Sequence, residues 1–168
     1  MKKFIQMILL LGAMNCFAQN SAFKIHSVNV GVGGFYFKKD ASEGGGVSGY
    51  VQLTSAISKN LISASVKTGA EIGVVGGSNY DFTEVSLQYG REFPITKWFG
   101  FEIFAGVGTY SQNSDVDYIF HGNEISFPVT VNSIFKLSPN FGLGLNANYS
   151  VNSLNNNFSS HVVLQYKL

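Results

Sequence analysis

The chain carries a single cysteine, Cys16, and it falls among the first eighteen residues. If that stretch is removed, disulfides and thiolate chemistry are excluded from what remains. Charge is scarce too: only 12% of the residues are Asp, Glu, Lys or Arg, and 11 basic residues nearly cancel 10 acidic ones. A nucleic-acid partner needs a basic patch or stripe, and none is present. After Ala18 no apolar run reaches the ~20 residues that a membrane-spanning helix requires. What is abundant is glycine, with 19 residues, and aromatic side chains, at 14%. Low charge without a long apolar run is a composition of β-membrane proteins rather than α-membrane ones.

The N-terminus reads as an address. Met1, Lys2 and Lys3 give a positive start, residues 4–14 are apolar except for Gln6, and Cys16 and Ala18 are small residues at the positions a signal peptidase requires. This predicts a secretory signal peptide over 1–18, cut after Ala18. A lipoprotein signal would place a small residue directly before the acylated cysteine, where Asn15 stands. The remaining segment, 19–168, is one domain in size. Losing Lys2 and Lys3 leaves nine basic against ten acidic residues, a net charge of −1.

Period-two alternation predicts eight strands. The first spans 26–37, with Val28, Val30 and Val32 against Asn29, Gly31 and Gly33. Phe35 and Phe37 break its parity, so a bulge is expected at Gly33 and Gly34. The second, 47–57, sets Val51, Leu53 and Ile57 against Tyr50, Gln52 and Thr54, and 58–60 is a tight turn. The third, 62–74, has the cleanest alternation: Ile62, Ala64, Val66 and Ala70 oppose Ser63, Ser65, Lys67, Gly69 and Glu71. After a loop at 76–81, Val85, Leu87 and Tyr89 face away from Glu84, Ser86, Gln88 and Gly90 in the fourth. A connection at 92–97 leads to the fifth, where Phe99, Phe101, Ile103 and Val107 alternate with Gly100, Glu102, Phe104 and Gly106. A longer loop, 111–124, precedes the sixth, with Ile125, Phe127, Val129, Val131 and Phe135 on one face. Pro128 lacks a donor, so a bulge or a late strand start is expected there. A turn at 138–140 leads to the seventh strand, 141–151, and a polar loop at 152–157 to the last, 158–168.

The minor face of these strands is Gly, Ser, Asn, Thr and Gln with scattered charges, which a dry core accepts only if fully paired. The major face is nearly free of charge. Lipid outside and a narrow polar interior explain that inversion, and an eight-stranded barrel encloses room only for its own side chains. The fold expected is all-β, an eight-stranded antiparallel up-and-down transmembrane barrel. Short turns at 58–60, 92–97 and 138–140 would be periplasmic, with Lys59, Arg91, Lys97 and Lys136 at that rim; Asp40, Glu43, Asp81, Asp115, Asp117 and Glu124 would lie in the outer loops. Trp98, Phe99 and Phe141 at one end and Tyr80, Phe82 and Tyr110 at the other are expected as aromatic girdles.

On these strands, turns and the closing strand, the chain resembles the small OmpA/OmpX-type outer-membrane barrels across its whole mature length. It departs from them at its last residue, where an aromatic is usual and Leu168 stands, with Tyr166 two before it. The resemblance implies export to the outer membrane of a Gram-negative bacterium, contact with outer-membrane lipid and lipopolysaccharide, and recognition by the assembly machinery through the terminal strand. It implies a monomer and no cofactor. In that strand Val162, Leu164, Tyr166 and Leu168 would face lipid, while His161, Val163, Gln165 and Lys167 would face inward.

Chemistry-bearing residues are few. Glu71 and Glu84 are expected near each other at the outer end, with Lys67 lower and level with Glu102; with His161 they make a polar lumen network, either a cation site or, the preferred reading, salt bridges that plug the barrel. His161 is expected beside Asn148 and Ser150, and His121 lies near Ser114, Asp115 and Asp117 in the long loop. A lipid A acylase or acyltransferase would use a His with a Ser and a carboxylate, but no spacing here specifies such a site. Asp115, Asp117 and Glu124 offer carboxylates to a divalent ion without the spacing of an EF-hand. The reading that follows is a non-enzymatic barrel with a structural, adhesion or surface-interaction role through its loops. A lipid A-modifying enzyme, a narrow small-solute channel and a soluble lipocalin-like binder are its rivals. Leu164→Arg is expected to cost about 2–4 kcal/mol near the bilayer midplane, and Gln165→Arg less, as read from urea titrations of the barrel folded into vesicles.

Overall fold

The computed structural model describes residues 23–39, 42–71, 80–114 and 122–168. They form eight strands: β1 (Phe23–Lys39), β2 (Ser42–Ile57), β3 (Asn60–Glu71), β4 (Tyr80–Pro94), β5 (Phe99–Ser114), β6 (Gly122–Lys136), β7 (Phe141–Val151) and β8 (Asn156–Lys167). Each pairs antiparallel with its neighbour in sequence, and β8 pairs with β1 from Ser27↔Lys167 to Lys38↔Asn156, closing the barrel. The Leu168 amide adds a bond to the His26 carbonyl beyond the ladder. Closure leaves no sheet edge, the hazard that an open terminal strand would carry.

The faces fall as the alternation requires. Val30, Val51, Val85, Leu87, Ile103, Val129, Leu145, Val162 and Leu164 are exposed on the outer wall. Asn29, Gln52, Thr54, Ser63, Gln88, Asn132, Asn146 and Gln165 are buried inside. At one end the connections are tight. Ser58 and Lys59 form a two-residue turn in which Ser58 takes φ 59°, the positive φ that primed hairpin turns require. In the next connection Thr96 Oγ1 accepts from the amides of Trp98 and Phe99, and Ser138 Oγ likewise holds the Phe141 amide. On this rim Trp98, Phe99 and Phe135 stack together, and Phe141 meets Tyr166.

Several expectations are corrected. No register shift occurs at Gly33 and Gly34; the shift lies between Ile25 and Ser27. Phe35 and Phe37 keep their parity and point into the lumen, where they are buried. Tyr80, Phe82 and Tyr110 are not a girdle either: Phe82 is 0% exposed, and all three sit inside with Phe35, Phe37 and Leu154. Their places on β4 and β5 have the inward parity of Glu84 and Gly108, and parity overrides hydrophobicity. Pro128 causes neither a bulge nor a late start. The β5–β6 register resumes unchanged from Ala105↔Val129 to Gly108↔Ser126, so the missing donor interrupts the ladder without inserting a residue.

Strands β1 and β2 also run further than expected, because Gly44, Gly45 and Gly46 pair with Phe37, Tyr36 and Phe35 instead of forming a loop. Likewise β5 continues to Ser114 and β6 begins at Gly122. The signal segment 1–18, Ile72, Val74, Asp40, Asp115, Asp117 and His121 lie outside the described residues.

Gly69 of β3 supports the inner aromatic group. A Cβ there would meet the rings of Phe82 and Phe35 inside van der Waals distance. Gly69→Leu is therefore expected to destabilise by about 1–3 kcal/mol through overpacking, whereas Ala70→Leu, one residue along on the exposed face, is expected to be neutral. Urea unfolding of the two variants in vesicles separates these outcomes.

Candidate functional site

The lumen is filled in tiers, each set by inward residues that cross-strand register brings level. Nearest the tight turns, Glu92 binds Lys167 at 2.9 Å and Lys136 at 3.3 Å, with His26 Nε2 3.6 Å away. His26 is also 3.7 Å from Glu102, whose carboxylate accepts from Gln165 at 2.9 Å and Asn132 at 3.2 Å. Gln52 lies in the same layer. Its Oε1 accepts from Asn29 and Asn132, and its Nε2 donates to Ser63 at 3.0 Å. These amides bond one another in a space where an unpaired polar group is costly, and Asn29 Oδ1 is left without a partner among the described residues.

The next tier is organised by His161. Its Nδ1 lies 2.9 Å from Asn146 Oδ1 and its Nε2 2.8 Å from Ser48 Oγ. Asn146 donates its Nδ2 to Asn132 at 2.7 Å, so its Oδ1 is an acceptor. That assignment places the histidine proton on Nδ1 and leaves Nε2 to accept from the Ser48 hydroxyl. Ser48 stands on β2 and His161 on β8, with β1 between them. The position level with both is Gly33. A Cβ on Gly33 would run into the backbone of Ser160 and His161, so the absent side chain is what lets the two strands lie this close. Tyr50 covers the imidazole, stacked with ring centroids 5.4 Å apart.

Higher in the barrel, Lys67 and Glu84 are direct cross-strand partners and form a buried ion pair of 2.8 Å. Asn148 accepts from the same ammonium and donates to Thr130, and Ser150 donates to Glu84. The ammonium also lies 5.7 Å from the Phe82 ring centroid. Above it the aromatic group closes the lumen: Phe37 stacks on Tyr80 at 4.2 Å, Phe35 meets Phe82 edge-on at 4.8 Å, and Phe82 stacks on Tyr110 at 5.3 Å. The Tyr80 and Tyr110 hydroxyls are 2.6 Å apart, and Asn155 donates to Tyr80 and Gln112.

The expected network residues are thus buried in the lumen, apart from the half-buried Glu71, but not in the expected arrangement. Lys67 meets Glu84 and not Glu102. Along β5, Glu102 is eight residues from Tyr110, the position level with Glu84, which is about 26 Å of strand. Glu71 is four residues beyond Lys67, about 13 Å, and level with Gly46. The three carboxylates therefore do not converge on one cation. His161 pairs with Asn146 and Ser48 rather than with Asn148 and Ser150. Sequence reading missed Ser48, and Gly33 is the signal that pointed to it.

The Ser48–His161–Asn146 chain has the connectivity of an activated serine, with an amide where a carboxylate is usual. Its setting is that of a packing network: Ser48 is 6% exposed and the ring is stacked under Tyr50. Removing one partner of a buried ion pair costs about 3–5 kcal/mol because the other charge is stranded. Lys67→Met and Glu84→Gln are each expected to lose stability on that scale, and the double variant less than the sum, in a double-mutant cycle read by urea unfolding.

No family model matches the sequence, and no curated protein does. Solved structures do match. Neisserial surface protein A aligns at 10% identity with a TM-score of 0.72 over 88% of this chain and 98% of that one. Ail, the attachment invasion locus protein of Yersinia pestis, aligns at 14% identity and 0.62 over 86% and 99%. The outer membrane enzyme PagL aligns at 14% identity and 0.50 over 84% and 99%. Closed, antiparallel, eight-stranded and polar within, this chain has the fold of the small outer-membrane β-barrels.

Proposed function

We propose that this protein is a non-enzymatic integral barrel of the outer membrane of a Gram-negative bacterium, acting in adhesion, surface interaction or envelope integrity through the connections at the end opposite the tight turns. One observation carries the reading: the outer wall is dominated by exposed aliphatic and aromatic side chains while the lumen is packed from the Glu92 tier to the aromatic group. An exterior with Val32, Leu87, Leu145 and Leu164 exposed suits lipid, and a soluble binder would need those faces inward. Under this reading residues 1–18 are the export signal, β8 is the strand offered to the assembly machinery, lipid and lipopolysaccharide surround the wall, and the closed ladder favours a monomer.

The packed lumen argues against the channel. The enzymatic reading draws on the fold shared with PagL and on the Ser48–His161 contact; the burial of Ser48 argues against it.

Three measurements test the proposal. The protein is expected to need detergent for extraction and to migrate differently on gels before and after boiling; extraction by buffer alone would overturn the membrane assignment. In planar bilayers it is expected to give no conductance above leak. Expression is expected to leave the lipid A mass spectrum unchanged, with Ser48→Ala and His161→Ala indistinguishable from the parent; a new lipid A species lost in either variant would establish an enzyme.

A further inference from the structure

Three registered rows cross the outer wall on β1, β8 and β7. Tyr36, Phe158 and Tyr149 are level with one another, and all three are exposed. The next outward row towards the tight-turn end is Gly34, Ser160 and Ala147, again level. Beyond it lie Val32, Val162 and Leu145, exposed and aliphatic. The small middle row makes a trough between an aromatic and an aliphatic ridge, and it runs across three strands.

Above the aromatic row the wall opens into a crevice of about 510 Å³, lined by those three rings together with Lys38, Asn152 and Asn155. The two asparagines are half-used. Asn152 Oδ1 accepts from the Leu154 and Asn155 amides, and its Nδ2 is left without a partner among the described residues. Asn155 donates its Nδ2 to Tyr80 and Gln112, yet its Oδ1 has no partner there although the residue is 3% exposed. Both of those atoms are buried, so the amide that the lining presents to the crevice is that of the exposed Asn156, and an amide gives and takes hydrogen bonds as a sugar hydroxyl does. Aromatic rings suit the C–H face of a pyranose, and aromatic side chains with one apolar and one wet side are at home at a membrane interface. Lys38 is the charged residue of the lining. Glu43, its partner across the ladder, lies on β2, on the far side of β1 from the crevice, where it accepts from Tyr36 OH at 2.8 Å.

We propose that this crevice and trough bind one anionic glycolipid of the surrounding leaflet, its phosphorylated or carboxylated sugar in the crevice and the start of its acyl chains over Gly34, Ser160 and Ala147. The continuity of the crevice with the hydrocarbon wall assigns the sugar to a membrane lipid rather than to a free glycan. The proposal rests on the membrane reading above.

The test uses the mature barrel refolded in dodecyl maltoside, with its heat-dependent gel migration checked for every variant, and labelled rough-type lipopolysaccharide titrated by fluorescence anisotropy. Saturable binding is expected. Lys38→Gln, which removes one charge-assisted contact, and Ser160→Phe, which fills the trough, are each expected to weaken it about tenfold. Ala105→Phe, on the outward face of β5, is expected to leave it unchanged. Deacylated core saccharide and phosphatidylglycerol are expected to compete poorly. Equal loss in Ala105→Phe, or equal competition by phosphatidylglycerol, would reduce the binding to general lipid contact and overturn the site. Equal competition by the deacylated saccharide would overturn the membrane source. A barrel with normal heat-dependent migration that ignores lipopolysaccharide overturns this proposal alone; a chain with no such migration overturns the membrane reading with it.

Discussion

Hydrocarbon offers no hydrogen-bond partner, so every backbone group of a sheet within it must be paired inside the protein. The β1–β8 ladder, from Ser27↔Lys167 to Lys38↔Asn156, meets that demand by removing the two edges that eight strands would otherwise expose. The rest of the architecture depends on it. Once the sheet closes, every second side chain is driven inward, whatever its chemistry, and the lumen must be packed with what arrives there. Tyr80, Phe82 and Tyr110 arrive at one end, and Lys67, Glu84 and His161 arrive below them.

The lumen resolves this crowding with two devices. Where inward positions are glycine, a neighbour reaches across: His161 meets Ser48 over Gly33, and Phe82 and Phe35 lie against Gly69. Where they are polar, amides and hydroxyls are chained, as in the run from Ser48 through His161, Asn146 and Asn132 to Gln52, while the hydroxyls of Ser27, Thr54 and Ser126 stand outside such chains among the described residues. A buried ion pair contributes little net stability by itself. In the Lys67–Glu84 pair, Asn148 and Ser150 take up the remaining bonds of the two charges. The outer wall is simpler in chemistry, but it is not featureless: its rows alternate bulky and small side chains on β1, β8 and β7, and there it acquires relief.

Much of this was legible in the residues. The alternation of Ile62, Ala64 and Val66 with Ser63, Ser65 and Lys67 was enough to assign β3 and its faces, and Val162, Leu164 and Tyr166 identified the closing strand. Parity outweighs hydrophobicity where the two disagree. Phe35 and Phe37 pointed to a bulge, and Tyr80, Phe82 and Tyr110 to a girdle, although each occupies an inward position. Strand ends were short for a related reason. Gly44, Gly45 and Gly46 look like loop, since glycine weakens a strand, yet they pair with Phe37, Tyr36 and Phe35, and the Phe37 ring fills the space a side chain on Gly44 would take.

The sequence by itself determined the period of two, the hydrocarbon wall, the polar lining and the strand count, because these are local properties of a pleated chain. Tertiary structure alone decided which inward residues meet. Lys67 falls opposite Glu84, and Glu102 opposite Asn132, by the register of two adjacent strands, but stagger accumulates around a closed, tilted barrel, so Glu102 also meets Gln165 and His161 reaches a serine 113 positions away. No local pattern encodes that sum of registers.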